Sequence, residues 1–160
     1  MKATLQHRLI QAEGAGLHIL KATSSDAFDH STALSETKEQ RIVSRVVRGS
    51  HAESLASFFN EISAALQFPP YFGHNLNALD ECLGDLEWLP ADKYVLFFLD
   101  ADRLLKQEKP EIFQSLIKLL NDVAHERKSI GFQIVLQTEG PHVAELETKL
   151  KATGVKFTSL

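Results

Sequence analysis

The sequence predicts an α/β protein built on a parallel sheet. Residues 93–99, Lys93-Tyr94-Val95-Leu96-Phe97-Phe98-Leu99, form an apolar run of the kind buried on both faces of such a sheet. Residues 41–48 are rich in β-branched side chains and read as a second strand, and residues 132–136 supply a third. Helical patterns lie between them. Strand, helices, strand, helix, strand is an order that right-handed crossovers close into one sheet.

The elements follow in order. Residues 1–40 are weakly patterned: residues 16–21 are a candidate strand, and residues 22–40, rich in Ser, Thr and Asp, read as loop. Ser50 and Glu53 have capping-box spacing, so a helix is expected to start there. Leu55, Phe58, Phe59, Ile62 and Leu66 continue it at helical spacing and face a core. Pro69 and Pro70 end it, because proline lacks an N–H and disfavours a helical residue before it. Tyr71 to His74 make a turn, and Asn75 is a good N-cap for a short second helix. Residues 110–127 form a long amphipathic helix with Ile112, Leu116, Leu119, Leu120 and Val123 inward. Residues 142–151 form a last helix with Gly154 beyond it, and residues 155–158 a candidate edge strand.

Composition narrows the functional classes. The 160 residues suit one domain, or one domain with an appendage. A pI near 6.0 argues against general binding of nucleic acid or anionic membrane. No apolar run approaches 18 residues, and the start of the chain lacks the apolar stretch of a signal peptide. The single Cys82 excludes an intrachain disulfide and fits a reducing cytoplasm.

Charge is segregated. Residues 49–92 contain no Lys or Arg and seven carboxylates: Glu53, Glu61, Asp80, Glu81, Asp85, Glu87 and Asp92. The net charge is −4, so the remainder of the chain sums to +3. A one-signed field draws partners of opposite sign, although solvated acidic helices are also common. On the second helix Leu76, Leu79 and Leu83 share one stripe, with Cys82 nearby. Asn77, Asp80, Glu81 and Gly84 share the opposite stripe. Tyr71 and Phe72 stand beside it, either as anchors of a binding patch or as plugs of the core.

These residues resemble the barstar family of intracellular inhibitors of guanyl-type ribonucleases. The family carries Pro-x-Tyr-(Tyr or Phe)-Gly-x-Asn-(Leu or Trp)-Asp-Ala-Leu-x-(Asp or Glu)-Cys-Leu. The chain reads Pro69-Pro70-Tyr71-Phe72-Gly73-His74-Asn75-Leu76-Asn77-Ala78-Leu79-Asp80-Glu81-Cys82-Leu83. Glu87-Trp88-Leu89-Pro90 and the strand from Tyr94 look like larger bacterial relatives. The resemblance covers residues 41–137. It implies a small three-layer fold with a central parallel sheet of about three strands. Residues 1–40 would be an N-terminal extension, and residues 138–160 a C-terminal helix and possible edge strand. It further implies a cytoplasmic, immunity-type inhibitor, monomeric when free, that binds a basic ribonuclease or related toxin and neither nucleic acid nor membrane. Carboxylates would occupy the enzyme's phosphate position, with Glu81 entering the active site and Tyr71, Phe72, Gly73, His74, Asn75, Asn77 and Asp80 around it. Asp122 or Glu126 of the long helix is a further candidate.

Four positions depart from the family. Asn77 replaces a carboxylate, Asp80 stands where barstar has tryptophan, Glu81 is one methylene longer than the common Asp, and His74 replaces an acid. A second reading is therefore a barstar-fold interaction protein with a diverged, non-ribonuclease partner. A third is a small metal-dependent phosphohydrolase, because Asp100 and Asp102 follow a strand as in enzymes that form an aspartyl-phosphate. Against it, the Thr usual two positions after the second Asp is Leu104, no adjacent acidic pair follows, and Asp100 is more simply the cap of the next turn. Cys82 beside the leucine stripe reads as a buried structural thiol rather than a nucleophile. The histidines lack metal-ligand spacing and no phosphate loop is present, so no catalytic residue, metal or cofactor is expected.

Overall fold

The computed structural model describes residues 4–12, 15–127 and 131–160. Five parallel strands form one sheet: β1 (Ala15–Lys21), β2 (Ile42–Arg48), β3 (Lys93–Leu99), β4 (Phe132–Thr138) and β5 (Thr158–Ser159), in the order β2-β3-β4-β1-β5. Helices α1 (Leu5–Gln11) and α2 (Ser24–Ser35) cover one face. Helices α3 (Leu55–Leu66), α4 (Leu76–Asp85), α5 (Pro110–Glu126) and α6 (Val143–Thr153) cover the other. The α/β class and parallel sheet agree with the sequence reading.

The sheet has five strands rather than about three. Strand β1 runs the length of β4, from Ala15 opposite Phe132 to Lys21 opposite Thr138, and β5 pairs with β1 through His18 and Thr158. Leu17 and Ile19 enter the large core while Leu20 enters the smaller one on the opposite face. The edge strand expected at residues 155–158 is confined to Thr158–Ser159.

Residues 22–40 are not all loop. Thr23 caps α2 by accepting from the Asp26 N–H, and Ala27, Ser31 and Leu34 form its buried stripe. The Ser31 hydroxyl meets that of Ser44 at 2.7 Å, so the polar member of the stripe is satisfied. Helix α1 is likewise not signalled by the weak patterning of residues 1–40; Thr4 caps it, and the Lys93 ammonium donates to the carbonyls of Leu9, Ile10 and Ala12 at its end. Burial lowers the pKa of Lys93.

Helix α3 begins later than expected. Gly49–His51 is a 3-10 turn, and the capping box belongs to Ser54 and Ser57. Glu53 instead pairs with Arg103 at 2.6 Å. The turn is held against the end of β3, where a Cβ on Gly49 would collide with the Leu99 and Asp100 carbonyls.

Candidate functional site

Helix α4 starts where the sequence places it. Asn75 Oδ1 accepts from the Ala78 N–H at 2.8 Å, and Asn75 Nδ2 donates to the Gly73 carbonyl at 3.2 Å. Leu79 and Leu83 are fully buried and Cys82 nearly so, which fixes the helix's rotation; each leucine contributes about 1.5–3 kcal/mol by burial. The opposite stripe, Asn77, Asp80, Glu81 and Gly84, is exposed. Burial first, then the carboxylates of Asp85 and Glu81, push the Cys82 thiol above its ordinary pKa, as suits a packing residue.

Tyr71 and Phe72 part company. Tyr71 is 73% exposed, whereas Phe72 is 6% exposed and packs edge-on against Phe68 and Phe59, with centroids at 4.9 and 5.8 Å. Phe72 is thus a core plug beneath the site rather than a contact surface. His74 adopts a left-handed conformation, φ +53, donates from Nδ1 to the Phe72 carbonyl at 3.0 Å and lays its ring on Phe72. Partial desolvation first, then Asp85, Cys82 and Glu87, hold the Tyr71 phenol above its usual pKa.

The acidic segment sorts into two groups. Glu53 is paired with Arg103, and the Arg48 guanidinium donates to both oxygens of Glu61 at 2.6 and 3.1 Å. Asp92 accepts from the Arg41 N–H. Among the described residues, the side chains of Asp80, Glu81, Asp85 and Glu87 have no ion pair or hydrogen bond, and all four are exposed. The unspent charge therefore lies on α4 and the turn after it.

Helix α5 adds to that face. A groove of ≈ 360 Å³ separates Leu76, Asn77 and Asp80 of α4 from Lys118, Leu119, Asp122 and Glu126 of α5. Both α5 carboxylates considered from sequence are thus on the same surface as Asp80. One structural residue there was not foreseen. Arg127, just past α5, donates from Nε to the Leu83 carbonyl at 2.7 Å, and from an Nη to those of Gly84 and Asp85. It satisfies the open C-terminal carbonyls of α4 and ties the two helices together. Trp88 Nε1 donating to the Leu66 carbonyl anchors the loop that follows.

The barstar family, described as Barstar (barnase inhibitor), matches residues 42–137. The chain belongs to the barstar family. Its matched span runs from β2 through β4 and includes α3, α4 and α5. A search of curated proteins gives no match. Among solved structures, Cdc6p from Pyrobaculum aerophilum aligns with a TM-score of 0.58 at 15% identity, over 97% of this chain and 41% of that one. A chain in the structure of Drosophila ORC bound to GC-rich DNA and Cdc6 aligns at 0.57 and 12%, over 94% of this chain and 25% of that one. The barstar-family chain thus spans less than half of either, and the likeness is one of fold. It reaches beyond residues 42–137 to nearly the whole chain.

The second acidic motif is arranged differently from expectation. Asp100 is in the left-handed region, φ +47, and makes no side-chain capping bond to the turn Ala101–Arg103. Asp102 accepts from the Thr138 hydroxyl at 2.8 Å. Among the described residues no group of three or more His, Cys, Asp or Glu is placed to hold a metal ion, and no helix is long and apolar enough to cross a membrane.

Proposed function

We propose that this barstar-family chain is an immunity-type inhibitor that blocks a cationic ribonuclease or related toxin by inserting the α4 ridge into its active site. The supporting observation is the sorting of carboxylates: Glu53, Glu61 and Asp92 are engaged within the fold, while Asp80, Glu81, Asp85 and Glu87 are exposed and unpaired among the described residues. A ribonuclease must present cations to bind RNA phosphate, and carboxylates at that position would hold those cations instead. Glu81 is the central group. Asp80 and the α5 carboxylates Asp122 and Glu126 flank it on one side, and Tyr71 on the other. Gly73, His74, Asn75 and Asn77 form the N-terminal margin. Charge pairs of this kind couple most strongly once the interface excludes water. A single buried thiol is compatible with a reducing, cytoplasmic setting.

Asn77 and Asp80 favour a second reading, in which the same ridge meets a different basic protein. Asp80 adds charge where a large aromatic contact is absent, so affinity would lean on long-range attraction. Titrating the protein into a barnase-type ribonuclease acting on RNA separates the readings. Stoichiometric loss of cleavage, abolished in Glu81→Lys, supports the inhibitor. Full cleavage at excess protein sends the search to other basic partners.

A further inference from the structure

We propose that the cavity between α5, β1 and the chain leading from α6 into β5 binds a small organic anion with a flat apolar body, an aromatic carboxylate or phosphate. The site is separate from the α4 ridge and does not depend on the ribonuclease reading.

The cavity measures ≈ 650 Å³, within the range of small-molecule sites. Most of its wall comes from outside the family span of residues 42–137: residues 16–18 of β1, and residues 153–158 from the end of α6 to the start of β5. Asn121 and His125 of α5 close the remaining side. Its charge is opposite to that of the groove between α4 and α5. Asp80, Asp122 and Glu126 line that groove, whereas among the described residues no Asp or Glu lines this cavity. Lys156 does. In a chain with 21 Asp and Glu and a net charge of −4, this is a local reversal that suits an anion.

The polar groups of the wall divide into engaged and open. His18 Nε2 donates to Gln133 Oε1 at 2.6 Å, and His18 Nδ1 meets the Thr158 hydroxyl. These bonds hold the imidazole in place and fasten β5 to β1. A Cβ on Gly16 would collide with both His18 and Gln133, so a glycine is needed beside the pair. His125 Nδ1 donates to the Asn121 carbonyl at 2.8 Å, which leaves Nε2 open. Among the described residues, that nitrogen, the Asn121 amide and the Lys156 ammonium have no partner within the protein. Leu17, Val155 and Phe157 supply the apolar part of the lining. A cation and an amide donor beside an apolar wall match a ligand with one anionic end and an apolar body.

The test is amide NMR on the full chain, titrated with benzoate, with phenyl phosphate and, as the neutral control, with benzyl alcohol. Millimolar or tighter binding of an anion is expected, with shifts gathered at residues 16–18, 121, 125 and 154–158 and little response to benzyl alcohol. The anion that saturates first tells a carboxylate site from a phosphate site. Lys156→Glu and Asn121→Asp should each weaken binding about tenfold or more, because each puts a carboxylate against the anion. Lys109→Glu makes the same charge change as Lys156→Glu at the opposite end of α5 and should bind as the native protein does. Thermal unfolding of each variant separates lost binding from lost fold. No shift at these amides with either anion would overturn the site. Equal shifts with benzyl alcohol, or native affinity in both folded Lys156→Glu and Asn121→Asp, would overturn its preference for anions.

Discussion

Two adjacent aromatic residues have opposite consequences when removed. Phe72 is 6% exposed and meets Phe68 and Phe59 edge-on, and the His74 ring covers its remaining side. Truncating a buried phenylalanine costs about 3–5 kcal/mol through lost transfer energy and the cavity left behind. A chain of this length loses about 2–4 °C of Tm per kcal/mol. Phe72→Ala should therefore lower Tm by roughly 8–16 °C, taking about 4 kcal/mol as the central cost. Tyr71 is 73% exposed, so Tyr71→Ala should shift Tm by about 2 °C or less, as surface substitutions do. Its expected effect is on the partner, where losing an exposed aromatic anchor should weaken binding about tenfold. Thermal unfolding with a urea titration on each variant checks the first half, and a binding titration the second. Equal destabilisation by the two substitutions, or a native Tm for Phe72→Ala, would refute this division of roles.

Other perturbations separate the parts of the fold. Arg127→Met removes three donations to the end of α4 and should cost about 2–3 kcal/mol, with amide exchange quickening in α4; unchanged exchange there would contradict its tethering role. Lys93→Met should release α1, seen as faster exchange at Leu5–Gln11 with α4 unaffected, because among the described residues its ammonium donates to carbonyls at the end of α1. Hydrogen bonds from Arg48 hold the Glu61 carboxyl below its ordinary pKa. A depressed carboxyl adds stability that is complete above the unfolded value of about 4.3 and is lost as pH falls through the folded value. The urea midpoints of native and Glu61→Gln protein should then differ at neutral pH and converge below about pH 4; a constant difference would count against that pair.

The sequence made α4 legible because its signals are local. Asn75 marks the N-cap, and Leu79, Cys82 and Leu83 repeat at helical spacing, so the outward stripe follows from geometry. Strand β3 was equally plain from its unbroken apolar run. Helix α2 was not, because its buried stripe is Ala27, Ser31 and Leu34, and a serine that pairs with Ser44 resembles a loop residue until both are seen together. The Thr23 and Asp26 pair was the available signal. Residues 16–21 and 155–158 were readable as candidate strands, but the joining of β1 and β5 to the central sheet depends on register with distant segments, which periodicity does not report. Within the site, Tyr71 and Phe72 have similar chemistry, and their directions are set by a turn in which His74 takes a left-handed conformation. Arg127 lies 42 residues from Asp85, and nothing local to either announces the contact.

The most direct test of the α4 ridge is the affinity of native and Glu81→Lys protein for a barnase-type ribonuclease, measured at low and moderate salt. Desolvated pairing with a cationic site predicts tight native binding that weakens with salt, and its loss in Glu81→Lys with Tm retained. Equal affinity of the two proteins, or native binding indifferent to salt, would contradict the assignment of the acidic ridge as the binding surface.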